Sequence, residues 1–222
     1  MSLTLTETAG TFELPPAGPQ AARCIRVIDL GTQTSDYQGE AKSARKVLLT
    51  WRLDERRSDG EPHQVSRRFT ASLHEKSALR AFLKSWRGRD FTPDELSAFD
   101  LRKLLGASAL LNLTHSQRAG RDYADIASVS PLPKGMQPPP PLGDNEGLLF
   151  DISDPATHAV LDELSERLQD QIKDSPEWRA AHTPAISASR PAQSAYTAPS
   201  AHNPPARQPA PAAEFEADDI PF

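Results

Sequence analysis

LHEKSALRAFLKSWRG, residues 73–88, is the stretch at which the chain changes its repeat. Leu73, Leu79, Phe82, Leu83 and Trp86 gather on one face at helical spacing. Ser72 is placed as N-cap with Glu75 three residues on, and Gly88 ends the run. Both flanks read at the two-residue period of strands. Upstream, ARCIRVIDLG (22–31) and RKVLLTWRLDE (45–55) are apolar and β-branched, and the turn chemistry of SDGEP (58–62) leads into HQVSRRFTAS. Downstream, TPDELSAFDLRKLLG (92–106) predicts a short helix capped by Thr92 with Pro93 at its first position, then more helix around Leu101–Leu105. ASALLNLTH and YADIASVSPL follow as two strands joined by a turn at Arg118–Asp122.

Three strands, a helix and two strands predict a mainly β fold, a five-stranded OB-fold barrel with an α-helix between strands 3 and 4. An SH3-like barrel or a small sandwich fits the same order. The polar stretch TQTSDYQGEAKSA, residues 32–44, reads as a long first connection, and long loops on compact folds often carry function.

Composition divides the chain. Of 21 prolines only seven precede Gly135, so the later part reads as largely unpacked. The predicted organisation is an N-terminal arm (1–21), the barrel (22–135), a Pro-rich linker (136–153), an amphipathic helix (154–179), a flexible Ala/Pro/Ser linker (180–213) and an acidic tip (214–222). Leu161, Leu164, Leu168 and Ile172 define the helix over 155–173, and whether it packs on the barrel, self-associates or grips a partner is open. Residues 1–135 carry 20 Lys and Arg against 16 Asp and Glu, while residues 136–222 carry 5 against 14. A basic head with an acidic tail suggests a polyanionic partner for which the tail competes, so removing residues 137–222 is expected to raise affinity at low salt. The single cysteine, Cys24, the lack of a basic leader and the lack of about 18 consecutive apolar residues predict a cytoplasmic protein without a membrane span.

Enzyme signatures are weak. The six histidines lack metal-ligand spacing, HEKSA at His74 fails the HExxH pattern, and Asp29, Asp36 and Asp54 would have to meet in space to bind a metal. No enzymatic activity and no cofactor are expected. Nucleic-acid chemistry is better represented: Tyr37, Lys42, Arg45 and Lys46 lie in or beside the first connection, Trp51, Arg52, Arg67 and Arg68 on the next two strands, and Arg118, Arg121 and Tyr123 at the last turn. Cations neutralise phosphates and aromatic faces stack on any base, the mixture a single-strand binder needs. Trp51 shares strand parity with Val47, Leu49 and Leu53, which points inward, whereas Tyr37 sits among polar residues and is the stronger stacking candidate.

The terminal Asp218-Asp219-Ile220-Pro221-Phe222, set behind a proline-rich linker and an OB-type head, resembles the tip of bacterial single-stranded DNA-binding proteins. PPAGPQAARCIRVIDLG, LHEKSALRAFLKSWRG and LPKGM resemble phage or prophage OB-fold single-strand-binding proteins over most of residues 12–136. The resemblance implies a phage-encoded binder that coats single-stranded DNA in replication, recombination or repair within a bacterial host cell. It also implies that Asp218, Asp219, Ile220, Pro221 and Phe222 recruit host replication and repair enzymes. The linker is Ala and Pro rather than Gly and Gln and contains the predicted helix at 155–173, so tetramer formation is not carried over, and a homo-oligomer stays open. An adaptor or decoy that captures host enzymes through the tip, with a protein-binding barrel, is the alternative.

Overall fold

The computed structural model describes residues 13–37, 40–143 and 146–182, all within one compact unit ending at Pro184. The acidic tip and the linker before it lie outside the described residues. Strands β1 (Gly18–Tyr37), β2 (Glu40–Arg56), β3 (Pro62–Thr70), β4 (Ser108–Arg118) and β5 (Arg121–Ser130) form an open antiparallel sheet in the order β3-β2-β1-β4-β5. A short β6 (Leu148–Phe150) pairs with β1 in parallel. The fold is mainly β, as the period-two runs predict.

β1 is the spine of this sheet. Gly18–Arg23 pairs with β4, Arg26–Ile28 with β6, and residues from Ala22 to Tyr37 with β2. Two register shifts, at Cys24/Arg26 and Asp29/Gly31, redirect the strand between these partners. At the second, Gly31 takes φ 67° and its N–H donates to Asp29 Oδ1 at 3.0 Å. A Cβ at Gly31 would strike the Ser175 side chain, so only glycine admits the chain segment that covers it.

The predicted 13-residue connection is a correction. Residues 32–37 and 40–44 continue the β1–β2 ladder to the pair Tyr37↔Glu40, and Thr34 Oγ1 and Ser43 Oγ share a hydrogen bond of 2.8 Å. The ribbon is polar on both faces, so hydrophobic alternation cannot reveal it.

Helix α1 (Ala78–Arg87) starts later than predicted. Ser77, not Ser72, is the N-cap, its Oγ accepting from Arg80 N at 3.1 Å while donating to Ser72 O at 2.6 Å. Gly88 closes the helix in a left-handed conformation. Helix α2 (Pro93–Ser97) has the expected start, with Thr92 and Glu95 in a reciprocal capping box.

The sheet buries both faces. On one, Trp51, Leu49, Leu53, Phe69 and Leu111 pack against Leu79, Phe82, Leu83 and Trp86 of α1. On the other, Ile28, Leu30 and Leu48 are covered by Phe150, Ile152, Leu161, Leu164 and Ile172. Those residues belong to a C-terminal layer of β6, a 3₁₀ segment (Pro155–Glu163), α3 (Glu166–Lys173) and α4 (Pro176–His182). Glu177 of α4 fixes it to β1 by accepting from Thr32 N at 2.9 Å and Thr32 Oγ1 at 2.5 Å. Two boundaries therefore change: the 136–153 segment contains a strand, and the 154–179 segment is three short helical pieces docked on the sheet rather than one separate helix. The continuous apolar run Val47-Leu48-Leu49 is the sequence counterpart of a strand buried on both sides.

Cys24 is buried, and the cost of desolvating a thiolate pushes its thiol from an ordinary value of 9.0 up to about 12. The native state holds the proton more tightly than the unfolded chain. Stability is thus unaffected by this group below about pH 9 and falls by roughly 1.4 kcal/mol per pH unit above it, until about pH 12. At pH 8 the folded protein is expected to resist iodoacetamide, with one thiol labelled per chain in guanidinium chloride. Labelling of the folded form at the rate of a free thiol would contradict this.

Candidate nucleic-acid interface

The residues singled out as a binding surface divide by strand parity and by partner. Trp51 is removed outright. It is fully buried, with ring centroids 5.6 Å from Phe82 and 5.5 Å from Trp86, and has no face to offer a base. This takes Trp51 off the binding candidates, as its inward strand parity suggested.

Arg67 shares the inward parity of Trp51. Its Nη1 donates to Ile126 O of β5 at 3.0 Å, and its guanidinium lies 5.1 Å from the Phe69 centroid and 5.4 Å from that of Phe82. It ties β3 to β5 and is committed to structure.

Arg45 forms a bidentate pair with Asp29, one bond of which is 3.1 Å from Nε to Oδ1, and the hydrogen bonds to that carboxylate raise the guanidinium pKa. The pair lines a cleft of about 310 Å³ whose far side carries Arg102, itself paired with Asp151 and Asp154 at 3.1 Å. Each cation there is matched by a carboxylate, so the cleft presents little net charge to a polyanion. Asp29 is thereby neutralised, and its register partner Val47 is seven positions along β2 from Asp54, which keeps those two carboxylates from forming a metal cluster.

Arg52 is held by the segment read as a linker. Its Nη2 donates to Pro140 O at 2.7 Å and its Nη1 to Glu146 Oε2 at 2.9 Å, while Arg23 Nε and Nη2 donate to Pro139 O at 3.0 and 2.7 Å. Consecutive prolines present carbonyls with no internal donor, and two guanidiniums supply one. No protein-family model matches the chain, and no curated protein matches it.

At the β4–β5 turn, Arg118 pairs with Asp125 and stands 5.6 Å from the Tyr123 ring centroid. Tyr123 is 40 % exposed and, with Leu14, Arg121 and Asp122, lines a surface hollow. Arg121 is exposed and its side chain makes no hydrogen bond or ion pair among the described residues. At the far end of the β1–β2 ribbon, Tyr37 closes β1 opposite Glu40, and Lys42 is exposed opposite Ser35 with Glu40 3.9 Å away.

Lys46 and Arg68 remain. Register places Lys46 opposite Thr70 and Arg68 opposite Leu48, on the outer face of β2 and β3, where they are diagonal neighbours. Lys46 Nζ donates to Thr70 Oγ1 at 2.8 Å. Arg68 has no hydrogen-bond or ion-pair partner among the described residues, and its pKa is lowered by partial burial and by the charge of Arg167 on α3. The outer-face positions from Lys46 to Arg52 and from Gln64 to Thr70 include no carboxylate. Arg167 escaped the sequence reading because nothing in its spacing on an isolated amphipathic helix shows that α3 packs on the sheet.

Proposed function

We propose that this protein is a non-enzymatic, sequence-nonspecific single-stranded DNA-binding protein built on an OB-type barrel. The strand order β3-β2-β1-β4-β5, α1 inserted between β3 and β4, and the Arg67 bond that draws β3 toward β5 support the barrel reading. One observation carries the function: on the β2–β3 face, the face OB barrels use for polynucleotides, the part left open beside the C-terminal layer holds Lys46 and Arg68 with Gln64, Ser66 and Thr70. No acid stands among these strand positions, the nearby Glu146 pairs with Arg52, and Leu48 and Thr50 are buried. That face has no aromatic residue, so binding there rests on phosphate neutralisation, with base stacking left to Tyr37 and Tyr123 at the hairpin ends. Lys42 and Arg121 extend the positive surface toward those ends.

Fluorescence anisotropy with labelled oligothymidylate tests the reading. Affinity is expected to fall steeply with salt, with a log–log slope of about −0.7 per phosphate contacted. Changing Lys46 and Arg68 together to Glu should cost at least about tenfold at low salt by that mechanism, while Arg45→Gln costs little because Asp29 already neutralises it. A salt-independent wild-type affinity would sink the proposal. The same preparation addresses the acidic stretch: Ile220 and Phe222 beside Asp218 and Asp219 suit capture by an apolar, basic-rimmed pocket on a partner replication or repair enzyme. Deleting Phe222 should abolish that capture and leave oligothymidylate affinity unchanged. Capture without oligothymidylate binding would favour the adaptor reading.

A further inference from the structure

Arg68 and Arg167 come from parts of the chain 99 residues apart, and the fold holds their like charges together. Leu48, directly opposite Arg68 on β2, belongs to the apolar cluster on which Leu168 packs, and Leu168 follows Arg167 on α3. Lys46 lies one diagonal away on the same face. Neither arginine has a carboxylate or carbonyl partner among the described residues, although α3 and the segments beside it are rich in acids. Folding that brings Arg68 toward Arg167, with Lys46 diagonal to Arg68 and no ion pair on either arginine among the described residues, is unfavourable unless an anion completes it.

We infer that Lys46, Arg68 and Arg167 form one seat for the phosphodiester backbone of a single strand, so that the strand leaves the β2–β3 face across the C-terminal layer. The layer then has two roles, covering Ile28, Leu30 and Leu48 and supplying Arg167 to the interface. The occupant is a polyanion backbone rather than a base, since no aromatic side chain lies on this part of the face and guanidinium forks match phosphate oxygens.

This inference rests on the single-strand-binding reading, and the full-length protein separates the two. With labelled oligothymidylate at low salt, Arg167→Glu and Arg68→Glu should each weaken binding about tenfold or more. Arg167→Gln should reduce the salt slope by about 0.7, the share of one phosphate. Lys173→Glu, an equal charge change elsewhere on α3, should alter affinity less than about twofold, because distant exposed charges are screened. Arg167→Gln should also leave the melting temperature unchanged or raise it, because it relieves repulsion. Wild-type protein that fails to bind oligothymidylate removes the functional reading and this seat with it. Wild-type binding with Arg167→Glu indistinguishable from Lys173→Glu removes the seat alone. A melting temperature that falls in Arg167→Gln together with affinity assigns Arg167 a packing role and also overturns the seat.

Discussion

A chain ended at residue 136 is expected not to fold, whereas one ended at residue 182 keeps its fold. The shorter chain exposes Ile28, Leu30 and Leu48 and removes the six buried residues that cover them. Each large apolar side chain returned to water costs about 1.5–3 kcal/mol. Three on the sheet alone approach the whole stability of an ordinary domain, about 5–15 kcal/mol. Circular dichroism melting and size-exclusion chromatography of the two chains make the comparison. A cooperative transition for residues 1–136 at the temperature seen for 1–182 would refute it. The result also changes what the acidic tail can do. Residues 136–182 contain three Lys and Arg against ten Asp and Glu, and residues 183–222 only two against four. Most of the negative charge thus belongs to the segment containing the docked layer. Removing residues 183–222 should raise oligothymidylate affinity only slightly.

Trp51→Ala is expected to destabilise the fold by about 3–5 kcal/mol, the range for emptying a buried aromatic site. For a body of this size that lowers the melting temperature by on the order of 10 °C. Trp51→Phe should cost less than half as much. It keeps an aromatic ring between Phe82 and Trp86 and removes an indole Nε1 that finds no acceptor among the described residues. DNA affinity of the folded fraction should match wild type in both variants. Lost affinity at an unchanged melting temperature would instead restore Trp51 to the binding surface.

Local chemistry was legible where one signal dominated. The Thr92–Glu95 capping box, the Gly88 stop and the apolar face of α1 are each written in a few adjacent residues and are formed as written. The β1–β2 ribbon was not, because Thr34, Ser35, Lys42 and Ser43 are polar on both sides and alternate nothing. The C-terminal layer was hidden for a related reason. Its apolar residues mark a helix seeking a surface, while the surface itself, Ile28, Leu30 and Leu48, is masked within runs that also serve the inner core. For the proposed interface, residue type alone picked out Lys46 and Arg68 together with Arg45, Arg52, Arg67 and Arg118 and could not separate them. Those four are distinguished by partners distant in sequence, Asp29, Pro140, Ile126 and Asp125.

The parallel pairing of β6 with β1 joins Arg26 to Leu148, and this distance along the chain has a consequence during synthesis. When β5 has left the ribosome, the five antiparallel strands and α1 have all been made, but the layer that covers one side of β1 and β2 has not. About 50 further residues must be made before α4 is complete, roughly 3–10 s at about 5–20 residues per second. Throughout that interval the nascent chain displays Ile28, Leu30 and Leu48 to solvent as a sticky, uncovered surface. Slowing translation between codons 131 and 182 should therefore increase the aggregated fraction, and supplying a chaperone that shields apolar segments should lower it again.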